Sequence, residues 1–90
     1  MTAYRRTVRM TNKRGLHARA SAKFVNLAAG LPSTIEVEKD GNKVCGTSIM
    51  GLMMLGAAMG DDVVLHVSGD GAEDSLEQLA TLIESRFGED

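Results

Sequence analysis

The stretch Arg14 to Ser21, RGLHARAS, places a histidine two residues before an arginine, at the point where an apolar helical pattern begins. Backbone N–H groups at the start of a helix lack partners within the helix, and with the helix dipole they favour an anion over a second positive charge. His17 is therefore expected to be a neutral imidazole, whose lone pair can act as a nucleophile. The same N–H groups and Arg19 can hold the oxygens of an accepted phosphoryl group.

Taken alone, His17 leaves other interpretations open, because histidine also serves as a helix cap, a core residue or an inert surface residue. A metal site is disfavoured because the other histidine, His66, lies on a predicted strand and no ligand spacing links the two. A serine triad is also disfavoured. Ser21 lies one helical turn from His17, but nothing marks an oxyanion hole or a substrate pocket.

Alternation of apolar and polar residues predicts four strands, at Tyr4 to Met10, Thr34 to Glu38, Asn42 to Thr47 and Val63 to Val67. Helical periodicity predicts three helices, from Ala18 to a stop at Gly30, from an N-cap at Ser48 to about Leu55, and from a start at Asp70-Gly71-Ala72-Glu73 through Phe87 to a stop at Gly88. Asp40 and Gly41 signal a hairpin turn. Asp70 and Glu73 have the spacing of a capping box, and Ile49, Leu52 and Leu55 form a plausible core stripe.

This βαββαβα order predicts an α+β open-faced β-sandwich, in which three helices cover one face of a four-stranded antiparallel sheet. Polar residues at alternate strand positions fit a second face open to water; they are Arg5, Thr7, Arg9, Glu36, Glu38 and His66. At 90 residues, the chain from 1 to 90 is expected to be one domain with a single core.

Composition excludes several functions. The formal net charge of -2, without a basic cluster, gives no field that would attract nucleic acid, and the three aromatic residues form no pair on the central strands. Cys45 is the only cysteine, so we expect a half-buried structural thiol and neither a disulfide nor a metal cluster. No segment is long and apolar enough to enter a membrane, which predicts a cytoplasmic protein.

Two motifs carry a family resemblance. Gly15-Leu16-His17-Ala18-Arg19, followed by Ala22-Lys23-Phe24-Val25, resembles the active-site segment of the HPr family, the histidine phosphocarriers of the bacterial phosphotransferase system. The stretch from Ser48 to Gly56, SIMGLMMLG, is similar to the regulatory-serine helix of that family. The resemblance runs from about Tyr4 to Phe87.

The resemblance implies that His17 accepts a phosphoryl group at Nδ1 from phosphorylated enzyme I, with phosphoenolpyruvate as the original donor, and passes it to enzyme IIA domains. It implies that Arg19 neutralises phosphate charge and that the N–H groups of Ala18 and Arg19 bind it. The family usually has a proline where this chain has Ala20, so the loop before the helix is less restrained in the unfolded chain.

The family resemblance also implies a docking surface, made of Ala18, Arg19, Ile49, Met50 and Met53, and we expect an exposed methionine-rich patch there. In some relatives the serine that matches Ser48 is phosphorylated by a dedicated kinase/phosphorylase. We expect a monomer that needs no cofactor or metal and is a carrier rather than an enzyme. The sugar-transport and nitrogen-related branches both fit, and a small regulatory or ligand-binding domain without phosphorylation is the alternative.

Overall fold

The computed structural model describes residues 3–89 and contains four strands and three helices in the predicted order. In chain order these are β1 (Ala3–Arg9), α1 (Ala18–Ala29), β2 (Ser33–Lys39), β3 (Asn42–Cys45), α2 (Ile49–Met54), β4 (Asp62–Gly69) and α3 (Ala72–Glu84), and a short 3₁₀ helix follows at Arg86–Gly88. The strands form one sheet in the order β1-β4-β2-β3, and every neighbouring pair is antiparallel. The predicted open-faced sandwich is confirmed.

The two faces of the sheet differ as the alternation predicts. The inward residues of β1, β2 and β4 are buried under the helices; they are Val8, Ile35, Val37, Val63, Leu65 and Val67. On the other face Arg5, Thr7, Arg9 and Glu36 are exposed. There the ring Nε2 of His66 lies 2.6 Å from Glu38 Oε1, which gives this half-buried histidine a partner on the open face.

Helices α1 and α3 bury complementary stripes above the sheet. Phe24 of α1 and Leu79 and Ile83 of α3 are almost inaccessible to solvent, and α1 packs against both other helices. Burying a large apolar side chain of this kind contributes about 1.5–3 kcal/mol, so these stripes hold the helices in place. The start of α1, which carries His17, is thereby fixed relative to α2 and α3.

Two predicted caps are confirmed and one is wrong. Ser48 caps α2 by accepting from Gly51 N at 2.9 Å, and Gly30 ends α1. The capping box at Asp70 does not form, because Gly71, in the left-handed region at φ 63, is the N-cap of α3 and no side chain bonds to the helix start. Asp70 contributes its carbonyl oxygen instead, which accepts from Ser33 Oγ at 2.6 Å.

The hairpin turn is confirmed, whereas the strand that follows it is shorter than predicted. Asp40 and Gly41 both have positive φ, as a two-residue type I′ turn requires, and Lys39 pairs with Asn42. Strand β3 ends at Cys45 and not at Thr47. Cys45 is exposed rather than half-buried because it pairs with Glu36, and both side chains are on the open face of the sheet.

Helix α3 ends earlier than the periodicity predicts. It stops at Glu84, and Arg86 and Phe87 both take positive φ, at 60 and 55. This reversal turns the Phe87 side chain back into the core, where it is 1% exposed. Phe87 is therefore buried as the apolar pattern suggests, but it is not part of α3. None of the helices within residues 3–89 is long and apolar enough to cross a membrane.

Candidate functional site

His17 lies at the start of α1, as predicted, and is the N-cap residue of that helix with φ -71 and ψ 177. Its side chain makes no capping hydrogen bond, so the interpretation as a capping histidine is wrong. The side chain is 13% exposed and lies at the surface of the fold. The ring is therefore held in place yet accessible.

Unpaired backbone donors surround this position. The first hydrogen bond of α1 runs from Ser21 N to His17 O at 2.9 Å, so the N–H groups of Ala18, Arg19 and Ala20 precede the helical ladder. No acidic side chain occupies the first turn of α1. Ala18 and Arg19 are exposed, whereas Ala20 is completely buried. An anion next to His17 would meet these donors and the positive end of the helix dipole.

A carboxylate that sequence reasoning missed contacts the His17 ring. Glu89 Oε2 lies 2.6 Å from His17 Nε2, and Glu89 Oε1 accepts from Asn12 Nδ2 at 3.1 Å. Partial burial works to raise the pKa of Glu89, but the hydrogen bonds from Asn12 and His17 and the nearby charges of His17 and Lys23 outweigh it. The pKa of this carboxyl is consequently lowered, and the group is ionised at neutral pH.

The contact with Glu89 decides which ring nitrogen carries the proton. An ionised carboxylate only accepts hydrogen bonds, so Nε2 of His17 must be the donor across the 2.6 Å contact. In the neutral imidazole the lone pair is then on Nδ1. Within residues 3–89 the ring's hydrogen bond is made through Nε2 alone, which leaves Nδ1 free to react.

Positive side chains line the cleft around the ring. The cleft has a volume of about 390 Å³, and its basic lining residues are Lys13, Arg14, Arg19 and Lys23. Arg19 is exposed and forms no ion pair among the described residues, so its guanidinium is available to a ligand. Lys23 donates from Nζ to the carbonyl oxygen of Phe87 at 2.6 Å and fastens the segment that carries Glu89. The cleft suits a small, doubly charged anion.

Ser21 and His66 take no part in this site. Ser21 is fully buried, and its Oγ donates to the Leu16 carbonyl oxygen at 3.1 Å, which supports the loop before His17 and not a nucleophile. His66 lies on the open face of the sheet, whereas α1 covers the other face. Among residues 3–89, no group of three or more His, Cys, Asp or Glu side chains is placed to hold a metal ion.

Helix α2, which packs against α1, carries the second motif. Ser48 is half-buried, with its Oγ bonded to Gly51 N. The expected exposure of Met50 and Met53 is confirmed, at 72% and 43%, but Ile49 is 41% exposed and not a core residue. A six-residue helix beside the edge strand β3 buries little more than its central turn, where Leu52 is inaccessible.

The exposed apolar surface is wider than predicted. Met54 and Met59 are 79% and 58% exposed, and with Ile49, Met50 and Met53 they make up what we call the methionine patch. Met59 lies in the loop between Gly56 and Gly60, where no helical or strand periodicity predicts whether a side chain is buried or exposed. Large exposed apolar side chains are a common feature of protein-docking sites. Methionine suits a surface that must fit several partners.

Comparison with known proteins supports the family that the sequence resembles. Residues 4–85 match the family described as PTS HPr component phosphorylation site. The chain is 43% identical over 84 residues to phosphocarrier protein HPr of Cupriavidus necator, a match that covers 93% of this chain and 94% of the relative.

Solved structures give the same result. The crystal structure of HPr-C-His from Thermoanaerobacter tengcongensis superposes with a TM-score of 0.92 at 47% identity, covering 97% of this chain and 98% of that one. A crystal structure of an HPr dimer from the same organism matches with a TM-score of 0.76 at 49% identity, covering 91% and 94% of the two chains. The chain belongs to the HPr family of phosphocarrier proteins of the phosphotransferase system.

Proposed function

We propose that His17 accepts a phosphoryl group at Nδ1 from phosphorylated enzyme I and passes it to enzyme IIA domains. The observation that carries this proposal is the orientation of the ring, with Nε2 bonded to Glu89 and Nδ1 left free at the start of α1. The N–H groups of Ala18 and Arg19 and the guanidinium of Arg19 are assigned to the phosphate oxygens.

The transfer balances without a cofactor. The lone pair of His17 Nδ1 forms a bond to phosphorus as the bond from phosphorus to the donor protein breaks, and the electron pair of that bond leaves with the donor. Nε2 keeps its hydrogen, so the ring gains a positive charge beside the phosphoryl group. In the onward step a nucleophile of the enzyme IIA domain forms a bond to phosphorus as the P–N bond breaks, and the electron pair of the P–N bond returns to Nδ1. The chain is thus a carrier between two enzymes and not itself an enzyme.

The docking surface for both partners is assigned to Ala18, Arg19 and the methionine patch. Exposed apolar side chains on and after α2, together with the basic cleft at the start of the neighbouring α1, suit partners that bring an apolar surface and a phosphorylated group. A shuttle has to release each partner, so the affinity is modest. We propose that residues 1–90 work as one domain and as a monomer in the cytoplasm, in a sugar-transport or nitrogen-related relay.

Ser48 is proposed as a regulatory phosphorylation site for a serine kinase/phosphorylase. Its Oγ is already at the start of α2, next to Ile49 and Met50, so a phosphate there would place a dianion at the edge of the methionine patch. The added charge would oppose docking of enzyme I. Ser48→Asp should therefore slow phosphoryl transfer from enzyme I, whereas Ser48→Ala should leave the rate unchanged and lower stability by about 1 kcal/mol.

The proposal for His17 is tested with enzyme I and radiolabelled phosphoenolpyruvate, after autophosphorylation has shown that the enzyme I is active. Acid-labile label is expected on the wild type and on His66→Ala, and none on His17→Ala. His66 is the matched control because it is the other histidine and is also bonded to a carboxylate. Wild-type protein without label would favour the alternative, a regulatory or ligand-binding domain.

A further inference from the structure

The segment after α3 is folded back onto the start of α1. Arg86 and Phe87 reverse the chain through two left-handed residues, and the buried Phe87 ring anchors the reversal in the core. Lys23 of α1 adds a hydrogen bond from Nζ to Phe87 O at 2.6 Å. These contacts bring Glu89 to His17 although the two residues are 72 positions apart. The position of Glu89 is thus determined by tertiary structure.

A buried asparagine holds the Glu89 carboxylate from its other side. Asn12 is 0% exposed, and its Nδ2 donates to both Gly15 O at 2.8 Å and Glu89 Oε1 at 3.1 Å. Among the described residues Asn12 Oδ1 has no hydrogen-bond partner, although it is buried. An unsatisfied buried polar atom lowers the stability of the fold, so stability alone does not account for this asparagine. Its amide positions two groups of the His17 site.

We propose that Glu89 is a positioning residue of the phosphoryl relay, which keeps the proton on Nε2 of His17 in both the free and the phosphorylated state. The inference rests on the proposed function of His17. In the free state the contact selects the tautomer whose lone pair is on Nδ1. In the phosphorylated state it stabilises the positive ring, because the carboxylate is next to the Nε2–H group.

The second effect governs onward transfer. If Nε2 loses its proton, the ring of phosphorylated His17 carries no positive charge. When the P–N bond then breaks, the ring leaves as an anionic imidazolate, which is a poor leaving group. A ring that keeps the proton leaves as neutral imidazole. Glu89 should therefore extend efficient transfer to higher pH.

The other charged side chains that face the His17 ring act against Glu89, because they disfavour a proton on Nε2. Lys13 and Arg14 in the loop before α1, and Arg19 and Lys23 on α1, line the cleft with positive charge and disfavour a cationic ring. Among the described residues that line the cleft, Glu89 is the one acidic side chain. Removing its charge leaves the phosphoryl group on Nδ1 as the remaining negative charge against the ring, so the Nε2 proton should be lost at a lower pH.

The test compares wild type with Glu89→Gln, which keeps the size of the side chain and removes its charge. Nitrogen NMR of His17 in the phosphorylated proteins gives the midpoint pH at which Nε2 loses its proton. We expect Glu89→Gln to lower that midpoint, because the carboxylate charge next to Nε2 is removed, and to lower in the same direction the pH above which transfer to enzyme IIA slows. Glu84→Gln, an exposed carboxylate of α3 that pairs with Arg6, is the control and should leave both values unchanged.

A second measurement does not require phosphorylation. In the free proteins the same nitrogen signals report the tautomer, and wild type should show Nε2–H whereas Glu89→Ala shows a mixture of the two tautomers. An unchanged midpoint in a folded, phosphorylated Glu89→Gln protein, or an unchanged tautomer in Glu89→Ala, would overturn the role of Glu89. Absence of phosphorylation on wild type would count against the proposed function alone, since the tautomer measurement would still stand.

Discussion

The backbone N–H of Leu16 donates to the carbonyl oxygen of Ala57 at 3.0 Å, and this bond joins the loop before His17 to the segment that follows α2. Two more backbone bonds, from Met10 N to Asp61 O and from Gly60 N to Met10 O, both 2.8 Å, continue the connection. The loop before His17 and the loop that bears Met59 are therefore held together by main-chain contacts. The two proposed functions of the chain, phosphate acceptance and docking, depend on the same contact.

Gly15 makes this close approach possible, and Gly15→Ala should disrupt it. Gly15 has φ +59, and a Cβ added there would overlap Ala57 O, so both backbone strain and steric overlap result. We expect a loss of roughly 2–4 kcal/mol in unfolding free energy and slower phosphorylation of His17. Urea unfolding measures the first and labelling by enzyme I the second.

Gly41→Ala is the matched control for Gly15→Ala. Gly41 has φ +84, but a Cβ added there would have no atom within 4 Å, so only the backbone strain of about 1–2 kcal/mol remains. His17 should be phosphorylated at the normal rate in this variant. Equal losses of stability in the two variants would contradict a steric role for the Ala57 contact.

The fold was largely predictable because its elements follow simple local patterns. Alternation in β1, β2 and β4 identifies the buried face of the sheet, and Ser48 and Gly30 mark helix ends through their own chemistry. The errors arise where tertiary packing overrides a local pattern. Phe87 continues the apolar spacing of α3, yet it is buried through a chain reversal, and Ile49 continues the spacing of Leu52 although the sheet edge leaves it uncovered.

Met50→Glu should weaken docking of enzyme I while the fold stays intact. Met50 is 72% exposed, so the charge costs little in the free protein, but it would be desolvated against an apolar partner surface. We expect the KM for transfer from enzyme I to rise on the order of tenfold, equivalent to about 1.4 kcal/mol. Steady-state transfer kinetics measure the change.

Thr81→Glu is the control for Met50→Glu, because it adds the same charge at an exposed position of α3, away from the methionine patch. Its KM should stay within about twofold of wild type, a difference of less than about 0.5 kcal/mol. If both variants slowed transfer equally, the effect would come from net charge, and the assignment of the methionine patch as the docking surface would fail.

The site was predictable only in part. His17, Ala18 and Arg19 are adjacent in sequence, so one motif brings them together at one helix start. Asn12 and Glu89 contact each other across 77 positions, and neither has a local pattern that indicates chemistry. Their association depends on the chain reversal at Phe87 and on the hydrogen bond from Lys23, both of which are properties of the folded chain.

The lowered pKa of Glu89 predicts a pH dependence of stability. As the pH falls below the ordinary value of 4.5, the unfolded chain binds a proton at this carboxyl before the folded chain does. The stabilisation from ionised Glu89 is therefore fully present above that pH and is lost as the pH falls through the lower, folded pKa. The difference in unfolding free energy between wild type and Glu89→Gln should shrink over this acidic range.

Urea unfolding of both proteins at a series of pH values measures this difference. Glu36→Gln is the control, because Glu36 is exposed on the open face of the sheet and forms no hydrogen bond or ion pair through its side chain among the described residues. A wild-type advantage over Glu89→Gln that stayed constant down to about pH 2 would mean that the carboxylate charge does not stabilise the fold.

Ala20→Pro tests whether this chain needs the proline that its family usually has. Ala20 is the third residue of α1, and its N–H precedes the first helical hydrogen bond, so proline removes no ladder bond there. We expect the unfolding free energy to stay within about 1 kcal/mol of wild type. Proline stabilises the protein by restricting the unfolded chain, and this gain offsets the steric cost of placing a larger ring at the fully buried position of Ala20. Ala28→Pro is the control, since Ala28 is also a buried alanine of α1 but is inside the ladder, and it should lose about 3 kcal/mol or more. Similar losses in the two variants would show that the space around Ala20, and not the backbone, excludes proline from this chain.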